Sequence, residues 1–227
     1  GTSITFYNHP YYMEHLEALG FVKNTDWVER RITLPDAVPE KISRISAIVS
    51  QKYGMKAVQY SRREIKKLDI GHKLFNLIKK LAVELWPGLA DKTVASIHGY
   101  SALSDRQVDQ YVDLYLSMLD LNLVTFINDS EGNIIAFGVM IPSMSRALQK
   151  ANGKYLPFGW YHLVKALVFK KTDTIDMLLI AVHPDYRKQG LPALVIQDLH
   201  PRLRKFGFKW CESNPELEDN VKVQNLW

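Results

Sequence analysis

Apolar residues recur along this chain at the periods of helices and strands, and Gly, Pro and Asp/Asn clusters separate the runs. Tyr12, Leu16 and Leu19 share one helical face, Gly20 stops that helix, and Trp27 to Leu34 is extended. After Pro35 and Pro39, Ile42, Ile45, Ile48 and Val49 form an inward stripe that ends at Gly54. A third helix carries Leu74, Phe75, Ile78, Leu81, Ala82 and Leu85 and ends at Pro87-Gly88. Ser104 and Gln107 have the spacing of a capping box ahead of Val108, Tyr111, Val112, Tyr115 and Leu119.

The pattern then changes to strands. Leu123 to Asn128 and Ile134 to Ile141 flank Asp129-Ser130-Glu131-Gly132, a composition suited to a tight antiparallel reversal. Ile175 to Val182 is almost continuously apolar, as in a strand buried on both faces. A turn over Pro184 to Gly190 leads into a helix with Leu191, Leu194, Val195 and Leu199 on one side, and Pro201 is expected to kink or break it. Phe208 to Ser213 is a further strand, and a last helix is expected to start near Pro215, with Glu216, Glu218 and Asp219 in its first turns.

Composition narrows the classes. Hydrophobic residues make up 47% and charged residues 23%, the balance of a folded globular chain. The net charge of +5 is spread out, so clusters such as Arg62, Arg63, Lys66 and Lys67 read as solvated faces, and nucleic acid is disfavoured as a partner. Cys211 stands alone, which excludes an intrachain disulfide, argues against a Cys/His metal site, and suits a reducing, cytoplasmic setting. The longest apolar stretch, Phe158 to Phe169, contains His162 and Lys165 and is shorter than the ~20 residues that cross a bilayer. No membrane partner is therefore expected.

The chemistry concentrates in Ile180-Ala181-Val182-His183-Pro184-Asp185-Tyr186-Arg187-Lys188-Gln189-Gly190, where a strand ends, the chain turns and a helix starts. Backbone N–H groups at such a turn and the helix dipole suit an anion, Gly190 would permit close approach, and Arg187 and Lys188 add charge. A plain strand-to-helix turn with an exposed basic cluster would give the same pattern. With Val182, Pro184, Tyr186, Arg187 and Gly190 in order and spacing, the run resembles the acyl-CoA-binding signature of the GNAT superfamily of N-acetyltransferases. Residues 61–227 resemble that fold as a whole, a mixed α/β (α+β) architecture with a central, largely antiparallel sheet flanked by helices. Residues 1–34, with Asn8-His9-Pro10-Tyr11-Tyr12 and Leu19-Gly20-Phe21, resemble the last helix and strand of a preceding module, and 35–60 a helical connector, as in bacterial proteins with two GNAT-like modules in tandem. The orphan helix and strand of residues 6–34 are then expected to pack on the second module in place of its terminal strands.

The resemblance implies direct transfer of an acetyl or other acyl group from acyl-CoA to a small-molecule, peptide or aminoacyl amine, without a metal; a homodimer is compatible with it. Ile180, Ala181 and Val182, flanking a bulge, would hold the pantetheine arm and thioester, and Arg187, Lys188, Gln189, Gly190, Leu191 and Ala193 the diphosphate. Asn214 and Asn220 resemble further CoA contacts. Asp176 and Glu212 are the carboxylates nearest the expected cleft, as base or as ordinary solvated side chains; His183 is assigned a structural role. Three features favour the alternative of a catalytically degenerate binding or scaffolding module: Pro192 has no N–H where Gly or Ala is usual, the family's acid Tyr has no counterpart before Trp227, and the last helix is expected to be cut short there. A separate departure is the insertion 142–173, which is longer than the family needs. That insertion carries Arg146, Lys150, Lys154, Tyr155, Phe158, Trp160, Tyr161 and His162, either as a cover for an acceptor pocket or as an ordinary packed helical excursion.

Overall fold

The structure is a computed structural model that describes residues 8–23, 25–85, 106–107, 109–110, 114 and 119–218. Its helices are α1 (Tyr11–Ala18), α2 (Glu40–Tyr53), α3 (Arg62–Lys67), α4 (Ile70–Leu85), α5 (Ser145–Lys150), α6 (Gly159–Leu167) and α7 (Leu191–Phe206). Its strands are β1 (Trp27–Val28), β2 (Arg31–Thr33), β3 (Lys56–Val58), β4 (Val124–Asn128), β5 (Ile134–Pro142), β6 (Thr174–Val182), β7 (Trp210–Ser213) and β8 (Glu216–Leu217). Six strands form one mixed sheet in the order β2-β7-β6-β5-β4-β3, and β1 pairs with β8. The helix expected around Val108 to Tyr115 falls mostly outside the described residues.

The chain divides into two compact units, one of Pro35–Val139 with Leu179–Lys205, the other of Gly1–Leu34, Met140–Leu178 and Phe206–Trp227. In the first, β4 pairs antiparallel with β5 through a reversal held by Asp129, whose Oδ1 accepts from the N–H groups of Glu131 at 2.9 Å and Asn133 at 2.8 Å. Burial alone would raise the Asp129 pKa, but these bonds hold it below the ordinary value. Lys56–Val58, expected to be connector, adds a strand to β4. Its three residues are too few to show a period. On α2, Val49 is buried but Ile48 is half exposed, so the stripe is narrower than expected, and Gly54 caps the helix at φ +66°.

Helix α7 packs on β5 at Gly138, where a Cβ would come within 2.7 Å of Val195 Cγ1. It continues through Pro201 instead of breaking there. Pro201 removes one N–H, and the neighbouring Arg202 braces the turn, its Nε bonded to Asp198 O at 3.2 Å and its guanidinium paired with the Asp198 carboxylate.

In the second unit, β7 runs parallel to the first half of β6, from Thr174 against Trp210 to Met177 against Ser213. The N-terminal strand β2 lies antiparallel on the other edge of β7, as expected of the orphan segment. Among the described residues after Pro215, which end at Glu218, no helix begins: Glu216–Leu217 pairs with Trp27–Val28, and edge pairing outweighs the acidic first-turn pattern there. Helix α1 buries none of its residues, so of the orphan helix and strand only the strand packs as expected.

Candidate active site

Strand β6 carries both candidate features, one in each unit. Its first four residues are buried, but Leu179 is exposed and Leu178, Ile180 and Val182 are partly so, so the strand is buried on both faces only in its first half and not throughout as the apolar run predicts. Asp176 interrupts that run and is completely buried. It is the Cα partner of Glu212 across the parallel ladder, so the two side chains leave the same face of the sheet. Neither Asp176 carboxylate oxygen has a hydrogen-bond partner among the described residues. Burial raises its pKa from 3.8 to about 6, the nearby Ser143 moderates the rise without completing a normal hydrogen bond, and the charges of Glu212 and Glu29 add to it.

Glu212 is the more exposed partner and lies 3.7 Å from Arg31 Nε. Arg31 in turn stacks over the Trp210 ring at 4.6 Å. A buried carboxyl that titrates near neutrality beside a second, cation-paired carboxylate is the arrangement from which proton acceptors are made. The sequence contained both acids, and only the strand register could show that they are neighbours.

Asn214 follows directly. Its Nδ2 donates to Leu178 O, one step past the last β6–β7 pair, so the amide ties the two strands together where their ladder ends. Asn220 lies outside the described residues.

The second feature is the strand end and turn. Ser143 N–H donates to Thr174 O at 3.0 Å and His183 N–H to Ile135 O at 2.7 Å, so β5 and β6 are antiparallel. Eight residue steps on β5 (143 − 135) face nine on β6 (183 − 174) between those bonds, the count that a bulge in β6 leaves. Ala181 is buried, while Ile180 and Val182 are partly exposed. Pro184–Gln189 is a 3-10 turn, with His183 at its N-cap accepting weakly from Asp185 N–H at 3.4 Å.

Arg187 and Lys188 are exposed there. The amides are less open than the pattern suggested. Tyr186 N–H donates to His183 O at 2.9 Å and Ala193 N–H to Gly190 O at 3.0 Å, and Pro192 has none. The Gly190 and Leu191 N–H groups have no backbone acceptor among the described residues.

Gly190 has φ +78°, and a Cβ on it would stand 2.9 Å from Ile45 Cγ2 on α2. Its lack of a side chain therefore serves the turn and the contact with α2, where the sequence suggested approach to a ligand. The turn thus leaves two amides without a backbone acceptor near the exposed Arg187 and Lys188, not its whole length.

No protein-family model matches the sequence. The chain is 22% identical over 226 residues to Protein YghO of Escherichia coli (strain K12), covering 96% of this chain and 53% of that protein. It is 23% identical over 132 residues to the bacterial ceramide synthase of Caulobacter vibrioides (strain NA1000 / CB15N), covering 56% and 34%. The chain thus spans about half or less of the curated relatives it matches. Among solved structures, a GCN5-related glucosamine N-acetyltransferase region of a fungal multi-domain GH3 β-N-acetylglucosaminidase superposes with a TM-score of 0.55 at 10% identity, over 100% of this chain and 23% of that one. A GCN5-related N-acetyltransferase from Sphaerobacter thermophilus gives 0.51 at 11% identity, over 92% and 48%. The mixed six-stranded sheet and these superpositions identify the fold as that of the GCN5-related N-acetyltransferase (GNAT) superfamily.

Proposed function

We propose that this protein transfers an acyl group from acyl-CoA to an amine. The observation that carries the reading is Asp176, a buried carboxyl without hydrogen-bond partners, shifted to about 6 and set in register beside Glu212. At neutral pH it is mostly ionised and able to take a proton. In the proposed step the amine nitrogen bonds to the thioester carbonyl carbon and its proton passes by way of Glu212, the more exposed carboxylate, to the buried Asp176. The carbon–sulfur bond then breaks, and the CoA sulfur leaves and takes up that proton.

The acyl-CoA would be held by Lys188, Arg187 and the Gly190 and Leu191 amides, with the backbone of Ile180 to Val182 along its arm. Of the acceptors that the sequence leaves open, an amine on a lipophilic chain has the support of the likeness to a ceramide synthase, because ceramide is an amide.

Two measurements test the reading. Acyl-CoA at about 100 times its Kd should stabilise the fold by about 2.7 kcal/mol, and Lys188→Ala should weaken that shift. Asp176→Asn should keep the shift but lose release of the CoA thiol with long-chain amino alcohols or peptide amines as acceptors. Stabilisation without any thiol release would leave a binding module; no stabilisation would reject the proposal.

A further inference from the structure

Within the insertion, α5 and α6 meet residues that a folded surface rarely shows together. Leu156 is 78% exposed, Phe158 73%, Phe169 65% and Val168 64%. Trp160, Tyr161 and Val164 are also exposed, and Trp160, Val164 and Val168 follow one another at four-residue spacing along one face of α6 and its cap. Helix α6 is anchored from the opposite side by buried Gly159 and Ala166. The Trp160 indole N–H donates to Pro157 O at 3.0 Å, which fixes the ring on the outer surface.

Around this edge positive charge predominates. Between Pro142 and Thr172 the sequence has Arg146, Lys150, Lys154, Lys165, Lys170 and Lys171 and no Asp or Glu. All of these except Lys154 line an open concavity of about 660 Å³, together with Tyr161, Phe169 and one acid, Asp173, which pairs with Arg146 at 3.1 Å and leaves four lysines in excess. Protein–protein interfaces are depleted of Lys at their cores, whereas aromatic and aliphatic side chains ringed by Lys suit the headgroup layer of an anionic bilayer. Helix α6 has nine residues, too few to span and suited to lying in the plane.

We infer that this insertion is a membrane-docking surface for an anionic bilayer, with Leu156, Phe158, Trp160 and Val168 entering the headgroup layer and the basic concavity receiving lipid phosphates. The expectation of no membrane partner came from the length needed to cross a bilayer, which says nothing of lying on one. Docking is also independent of acyl transfer, since it can be read with no acyl-CoA present.

The full chain should co-sediment with vesicles of phosphatidylcholine and phosphatidylglycerol, bind pure phosphatidylcholine vesicles much less, and be released by salt. Lys154→Gln with Lys171→Gln should lower the partition coefficient about 25-fold, at about fivefold per cation. Phe158→Ser with Val168→Ser should lower it by about tenfold or more. Brominated lipid should quench fluorescence in the wild type and do so less in Trp160→Phe. Melting temperatures like the wild type's would show that these variants are folded. Equal binding to neutral and anionic vesicles, no binding, or binding unchanged in the lysine variant would overturn the inference. So would a dimer in sedimentation velocity that Phe158→Ser dissolves, since a second copy would then be the occupant.

Discussion

Replacing Asp176 with Asn tests whether an ionised carboxylate is really held in a buried position. The carboxyl titrates near 3.8 in the unfolded chain and at about 6 in the fold, chiefly because burial penalises its charge. Between those values the folded state binds more protons than the unfolded state, so stability falls as pH rises. The full contribution is present below pH 3.8 and is gone once pH has passed about 6. At about 1.4 kcal/mol per pH unit, the loss across that window is about 3 kcal/mol. Asn cannot ionise, so its stability curve should lack this fall while keeping every other titration. The measurement is urea unfolding of both proteins at several pH values from 4 to 8 (~0.5 pH steps suffice to resolve a slope of this size). The wild-type minus variant difference should drop by about 2.4 kcal/mol over the range, the rest having been lost below pH 4. The absolute offset carries no weight, since the Asn amide brings its own unsatisfied donors. Parallel curves would refute the shifted carboxyl and remove the main support for a base at this position.

Other consequences are more local. Cys211 is buried and burial pushes its thiol up to about 12, so a thiol reagent should label it only as fast as the protein unfolds. Gly138→Ala places a Cβ 2.7 Å from Val195 Cγ1 and should cost about 1–3 kcal/mol in urea unfolding. Arg202 donates to the carbonyls of Asn122 at 2.9 Å and Val124 at 3.1 Å besides pairing with Asp198, and Arg202→Ala should cost about 2–3 kcal/mol by thermal melting.

The central hairpin, β6 and the turn after it were legible because each is fixed by residues adjacent in sequence. Alternation or an apolar run gives the strand, Asp129 and Gly132 give the reversal, and Val182 to Gly190 give the exit. The pairing of β2 on β7 was legible for another reason: a short extended segment without its own sheet must find an edge. Where the reading failed, the deciding partner lay far along the chain. Val58 gains its place from Phe126, Glu216 from Val28, and Gly190 its small size from Ile45.

The same distinction separates the two candidate features. A phosphate turn is a local object, so its motif could be seen, though not which of its amides are already spent on His183 and Gly190 carbonyls. A base is a statement about environment. Asp176 looks ordinary in the sequence, and its burial, its lack of hydrogen bonds and its alignment with Glu212 exist only once residues 36 positions apart (212 − 176) are laid side by side. The insertion shows the limit from the other side. Helical spacing puts Trp160, Val164 and Val168 on one face whether that face is covered or bare, so periodicity alone could not separate a cover over an acceptor pocket from an ordinary packed excursion. Exposure of Phe158 and Phe169, the latter in a concavity that also holds Lys165, Lys170 and Lys171, is what supports the docking proposal, because an apolar surface left uncovered by its own fold calls for a partner whose chemistry matches both the rings and the charge.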